Sequence, residues 1–323
     1  MTAALMTSGP VVAGARAVDG ADAAASEWRL GGGDAITPEL TAMRLLGGGS
    51  AYEAYLAFDD VTALPVVVKI VRPDQVSDVE TLYGLEREAM ALTVANHPVV
   101  VRHLRHDLDG ERPHLVLECV DGPRLSSLVR RHGRLAPQQY LALGIDVAAA
   151  LHFFRQVDVC HLDIKPSNII MGAPARLIDL SVARNSANAA DLRSPIGTDA
   201  YMAPEQAVAG TSTSTVGAVG ASAGVPGFAS DVWGLGATLF HAVAGYRPFD
   251  DGDRDATHLE DRFPQVLDEP RALPDDVPAP VVDVVRAMLA PRPEERPEPR
   301  EVAAALEPVL AAQPRAKLSF KAR

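Results

Sequence analysis

The chain has 323 residues, 47% of them hydrophobic, enough to bury one large core or two lobes, which excludes a disordered polymer. With 42 acidic against 30 basic residues the formal charge is −12, and this argues against a general nucleic-acid binder, whose phosphate contacts need a basic face. Two cysteines, Cys119 and Cys160, are too few for a disulfide scaffold or, alone, a zinc cage; set in apolar runs, they read as buried thiols.

Residues 1–38 are rich in Ala, Gly and Ser and read as a flexible extension up to a docking segment near Trp28, with packing expected from "PELTAMRLL" onward. The start lacks the basic and apolar regions of a secretory signal. The longest weakly polar run, 233–245, is shorter than the ~20 apolar residues of a membrane span and carries His241. A cytoplasmic protein without a membrane span is the expectation.

Strand-like runs follow: "AMRLLG", "AYEAYLAFD" and "LPVVVKIVR", separated by Gly-rich or polar turns. Residues 79–95 carry apolar residues at helical spacing until "NHP" stops them, and "VVVRHLRHD" and "HLVLECV" add two strands. After "DGPRL" the period turns helical, over 125–132, 137–156, 228–244, 279–290 and 299–311. The fold class is therefore α+β: a small five-stranded antiparallel lobe with one helix, then a larger, mainly helical lobe. Residues 207–230 lack periodicity and read as a flexible surface insertion, and 312–323 as a short basic tail.

Singly, the polar motifs have ordinary explanations. "LLGGGSAY" could bring backbone N–H groups to phosphates, or be a plain hairpin. Lys69 in "VVVKIV" could pair with Glu88 on the next helix, or reach solvent from an edge strand. In "VCHLDIKPSN", Asp163 and Asn168 are five residues apart and "LIDLSVAR" adds Asp179, a set of hard oxygens that suits magnesium but also suits turns.

Their order is more telling: Gly-rich loop, strand Lys, helix Glu, Asp-x-Lys-x-x-Asn, then a post-strand Asp. In this the chain resembles the protein kinase family, and most of all the serine/threonine kinases of bacteria, particularly the Ala-rich actinobacterial ones. "MAPEQ" is similar to the Ala-Pro-Glu motif after an activation segment, "SDVWGLG" to the helix behind the active site, and Arg296 to the arginine that pairs with Glu205. The resemblance implies a two-lobed kinase domain over 39–311, with an N-lobe at 39–119, a hinge at 118–123 and a C-lobe at 124–311.

It implies an ATP-dependent phosphotransferase acting on Ser or Thr of a protein substrate, with ATP and magnesium, or alternatively manganese, as cofactors. Phosphoryl transfer needs positioning and charge neutralisation more than covalent help. By resemblance Leu46, Gly47 and Gly49 cover the nucleotide, Lys69 holds its phosphates, and Glu88 fixes Lys69. Asn168 and Asp179 hold the metal, Asp163 takes the proton of the incoming hydroxyl, and Lys165 neutralises the moving phosphoryl. Leu117 matches the gatekeeper, the backbones of Glu118 and Val120 the hinge, and Ala54, Val67 and Ile170 the walls around adenine. Thr198 is expected to hydrogen-bond Asp163 and Lys165. Oligomeric state is open, a homodimer included.

Three positions depart from the family. Tyr52 stands at the third glycine of the loop, "DLS" (Asp179-Leu180-Ser181) replaces Asp-Phe-Gly, and Leu162 replaces the arginine before the catalytic Asp. Losing that arginine removes the receptor for a phosphate on the activation segment, so activity independent of such phosphorylation is expected. The second reading is a nucleotide-binding pseudokinase serving as scaffold or switch, favoured by these three departures; a small-molecule kinase is a third.

Overall fold

The computed structural model describes residues 26–211 and 224–314. The expected flexible start (1–25), the middle of the insertion (212–223) and most of the basic tail (315–323) lie outside the described residues. Two compact units result, one from residues up to 89 together with 102–119, the other from 90–101 and 120 onward.

The first unit is an antiparallel sheet of β1 (Ala35–Thr37), β2 (Leu40–Gly48), β3 (Tyr52–Asp59), β4 (Leu64–Val71), β5 (His103–Asp107) and β6 (His114–Glu118), in the order β1-β2-β3-β4-β6-β5. Helix α1 (Val79–Val94) follows β4. Burial alternates along β3 and β4 as a pleated strand demands. Tyr55, Ala57, Val66, Val68 and Ile70 face a closed core with Ile36, Leu40, Ala42 and Val116. Ala54, Leu56, Val67 and Lys69 point the other way and stay half-buried. Each fully buried aliphatic side chain there contributes about 1.5–3 kcal/mol.

Six strands, not five, make this sheet, because packing starts earlier than the composition suggests. The Trp28 indole donates to Val71 O at 2.7 Å and its ring lies under the Arg112 guanidinium, 4.7 Å from the centroid. Its backbone N–H reaches the buried Glu53 carboxylate at 3.2 Å. Residues 99–107 are not one strand either: Val99 and Val101 bond to Leu177 in the second unit, and only His103–Asp107 pairs with β6.

The second unit holds α2 (Leu125–His132), α3 (Pro137–Gln156), the two-residue strands β7 (Ile169–Ile170) and β8 (Arg176–Leu177), then α4 (Ser186–Ala190), α5 (Pro204–Ala207), α6 (Phe228–Ala244), α7 (Leu259–Arg262), α8 (Ala279–Met288) and α9 (Pro299–Ala311). Helix α3 begins on proline, and Gln139 reaches back to the Ala136 N–H at 3.1 Å, closing its first turn. It packs against α6 and α9. Helices α5 and α6 take Ala207 and Phe228–Ser230 out of the expected insertion, whose described ends are therefore ordered secondary structure. Of the two thiols Cys160 is buried, whereas Cys119 is only partly so, since it follows the end of β6. Among the described residues no helix is long and apolar enough to cross a membrane.

Candidate active site

In the first unit the register of the sheet collects one set of side chains. Ala54 lies opposite Lys69, Leu56 opposite Val67, Lys69 opposite Leu115 and Val67 opposite Leu117. The period of two then places Ala54, Val67, Lys69 and Leu117 on a single face. Lys69 Nζ donates to Glu88 Oε2 at 2.5 Å, with Glu88 almost fully buried on α1. The Gly-rich turn is closed by Gly49 N–H donating to Tyr52 O at 2.9 Å, while Gly49 O accepts from Arg72 Nε at 2.7 Å. Leu46 and Gly47 sit in β2 just ahead of it, with Gly47 opposite Ala54. The Tyr52 ring centroid is 4.6 Å from Lys69 Nζ, and its hydroxyl donates to Thr81 O at 2.7 Å.

In the second unit a loop between α3 and β7 carries Asp163, Lys165 and Asn168. Asp163 Oδ1 accepts from the Thr198 hydroxyl at 2.8 Å, and that hydroxyl accepts from Lys165 Nζ at 2.6 Å. Asp163 Oδ2 accepts from Lys165 Nζ at 2.6 Å and Asn168 Nδ2 at 3.1 Å. Asn168 uses its amide nitrogen on Asp163, so its amide oxygen is the atom suited to a cation. Asp179 reaches the same end of the β7–β8 hairpin because Ile169 pairs with Leu177 and Ile178 N–H donates to Asn168 O at 2.9 Å. Ile170 lies on β7, bridged to Arg124.

Buried polar groups hold this loop. The Asp231 carboxylate on α6 accepts from the His161 and Leu162 backbone N–H groups, both at 2.7 Å. Burial pushes that carboxyl up to about 7, against the pull of these two donors. Burial also holds His161 below the usual histidine range; its Nδ1 accepts from the Asp163 N–H at 3.3 Å. Gln206 spans the loop and the segment before α5, donating to Leu162 O and Ile196 O, both at 3.0 Å. Between them Gly197 sits at φ +123°, where an added Cβ would lie 2.7 Å from Leu162 O. Arg296 grips Glu205 in a fork, Nη1 to Oε1 at 2.6 Å and Nη2 to Oε2 at 2.8 Å, both side chains closed to solvent.

Leu162 in this loop and Asp179 after β8 hold left-handed backbone, φ 63° and 74°, a strain of about 1–3 kcal/mol each. Ser181 does not need positive φ, so the missing glycine of "DLS" leaves this conformation accessible. The Leu162 side chain is buried with Cys160 and Ala189 against Val182, Leu192 and Phe228.

Thus Lys69 and Glu88 come together with Ala54, Val67 and Leu117 nearby on the same face, and Lys165, Asn168 and Thr198 meet around Asp163. Glu118 and Val120 fall on the last residue of β6 and just after Cys119, one in each unit. Two contributors escape the motif reading. Gln206 could have been noticed as the polar residue directly after Ala-Pro-Glu, whereas nothing near Tyr52 signals its partner 29 residues away.

A sheet unit bearing a Lys–Glu pair, and a helical unit bearing an Asp-x-Lys-x-x-Asn loop braced by the buried Asp231 carboxylate and the Gln206 amide, define a protein-kinase-like architecture. The chain belongs to the protein kinase domain family, which it matches over residues 40–306. It is similar to the serine/threonine-protein kinase PknB of Mycobacterium leprae, 32% identical over 64% of this chain and 32% of that protein. It is also similar to PrkC of Bacillus subtilis, 28% identical over 68% and 32% of the two chains, and to PkaA of Streptomyces coelicolor, 30% over 75% and 42%. The matched region thus spans about a third to two fifths of these relatives.

Proposed function

We propose that this chain is a serine/threonine protein kinase, transferring the γ-phosphoryl of ATP to a Ser or Thr hydroxyl of a protein substrate. The observation that carries the reading is the set of donors on Asp163. Thr198 occupies one lone pair of Oδ1, and Lys165 with Asn168 occupies Oδ2, so a lone pair on Oδ1 is the one suited to an incoming hydroxyl proton. Lys165 supplies positive charge beside that proton transfer, where negative charge on the phosphoryl oxygens needs it. Lys69, held by Glu88, is the cation for the α- and β-phosphates. Ala54, Val67, Leu117 and Ile170, with the backbones of Glu118 and Val120, are the residues proposed for the adenine end, and Leu46, Gly47 and Gly49 for the cover over the phosphates.

Asn168 and Asp179 offer two hard oxygens for a cation. That fits magnesium, or manganese, which takes its remaining ligands from phosphates and water. When bound, such an ion neutralises phosphate charge. The names carried by the relatives support the Ser/Thr acceptor.

Activity independent of phosphorylation in the activation segment is part of the proposal. The position that would carry an arginine is Leu162, and its packing against Val182, Ala189 and Leu192 links the catalytic loop to that segment by apolar contact. Such a link needs no phosphate.

The test is incubation with Mg-ATP and a generic basic protein, read by intact-mass and phosphopeptide spectrometry, beside Asp163→Asn. Phosphate on Ser or Thr from the wild type alone is expected, before and after phosphatase treatment. No phosphate from a folded preparation that binds ATP would replace this reading with the pseudokinase; loss of turnover on phosphatase treatment would remove the independence.

A further inference from the structure

We propose that Tyr52 is a positioning residue that pins the first turn of α1 to the Gly-rich turn and thereby keeps Glu88 paired with Lys69 without an outside ligand. The proposal rests on the kinase reading for the roles of Lys69 and Glu88. Four observations converge. Tyr52 is the first residue of β3, its backbone fixed opposite Val71 and by the hydrogen bond from Gly49, so its side chain starts from a defined place. Its hydroxyl donates to Thr81 O at 2.7 Å, in the first turn of α1. The face of its ring attracts the Lys69 ammonium, 4.6 Å from the centroid.

The fourth observation comes from the helix. Gly84 lies inside α1, where glycine is a poor helix former, yet a Cβ at this position would sit 3.0 Å from the Tyr52 hydroxyl oxygen. A large residue stands at the end of the Gly-rich turn, a small residue stands where a helix favours a larger one, and the two meet. Turning or withdrawing α1 would break the Tyr52–Thr81 bond together with the Lys69–Glu88 pair, so the helix has one preferred seat.

The experiment uses the full chain with Tyr52→Phe, Tyr52→Leu, Gly84→Ala and the Gly84→Ala/Tyr52→Phe double variant, each checked for folding by circular dichroism and Tm. Three readouts are taken: hydrogen exchange in the peptide covering α1, acylation of Lys69 by an N-hydroxysuccinimide acetate at fixed pH without nucleotide, and kcat with KM for ATP. Tyr52→Phe loses one hydrogen bond, and exchange in the first turn should rise about 2- to 13-fold, with kcat falling over the same range. Tyr52→Leu also loses the ring face, and Lys69 should acylate at least about twofold faster. Gly84→Ala should lower Tm beside Tyr52 and raise it beside Phe, because the oxygen it presses on is gone.

Equal effects of Gly84→Ala in both backgrounds would overturn the proposal. So would Tyr52→Leu with exchange and acylation both unchanged. A wild type that transfers no phosphate, while its variants show the exchange and acylation changes, leaves the role of Tyr52 standing and removes the kinase reading instead.

Discussion

Thr198→Val is the perturbation that most directly probes the chemistry. Valine keeps the volume and branching of threonine and deletes only the hydroxyl, which donates to Asp163 at 2.8 Å and accepts from Lys165 at 2.6 Å. A hydrogen bond to a charged group is worth about 1.5–3 kcal/mol. In the variant Lys165 still has Asp163 Oδ2 and Asp163 still has Lys165 and Asn168, so of the hydroxyl's two bonds only the one to Asp163 Oδ1 goes without a substitute, and the loss should correspond to one such bond. At about 1.4 kcal/mol per decade, kcat should fall roughly 10- to 150-fold. KM for ATP should move less than about twofold, because the hydroxyl bonds the residue proposed to receive the acceptor's proton and not one proposed for the nucleotide. Thr198→Ser restores the oxygen and should recover most of the rate. The assay is initial-rate transfer to a basic protein at saturating Mg-ATP. A valine variant within threefold of wild type, or a serine variant as slow as valine, would refute the assignment.

Removing half of the buried Glu205–Arg296 fork strands a charge, so Glu205→Ala should cost about 3–5 kcal/mol in urea unfolding, whereas Glu205→Leu with Arg296→Met should cost far less. A single variant that loses under about 1 kcal/mol would contradict the geometry. His241, beside the Tyr201 hydroxyl at 2.7 Å, is held at about 4 by burial, with the Arg247 cation adding to the depression from 6.5. The unfolded chain then binds the extra proton between those values, so stability should fall as pH drops from about 6.5 to 4, by up to about 1.4 kcal/mol per unit. His241→Gln should flatten that slope in urea midpoints measured from pH 7 to 5, and an unchanged slope would assign the acid sensitivity elsewhere. Lys69→Met should leave the fold intact by Tm while lowering kcat at least about 100-fold, since it deletes the cation proposed for the phosphates with little loss of side-chain volume.

Much of the helical unit is legible in the sequence because its helices are long and strongly periodic: the spans 125–132, 137–156, 228–244 and 299–311 agree with the structure to the residue. The sheet is less so. Val99–Val101 has strand composition, but whether it continues into His103 or pairs with Leu177 depends on contacts with residues far along the chain. Likewise β1 is three residues long and follows a Gly-rich stretch, so composition hides it. In the site, motif order names the polar residues but not the hydrogen bonds among them. The Tyr52–Thr81 contact depends on strand register and the rotation of a helix, neither of which local periodicity specifies.

The Trp28 segment bears on where this folding unit begins. Family resemblance starts at residue 40, yet Glu53, buried in β3, accepts from the Trp28 N–H and from the Tyr55 hydroxyl at 2.7 Å and lies 3.8 Å from Arg72. Arg72 in turn bonds both Ser26 O and Gly49 O. A fragment cut at the family boundary would uncover the Val71 carbonyl and the ring-packed Arg112, and would take from Arg72 one of the contacts that hold it against the glycine turn. The family match and the physical folding unit therefore have different first residues, and the stretch from 26 to 39 belongs to the sheet unit as much as the glycines do.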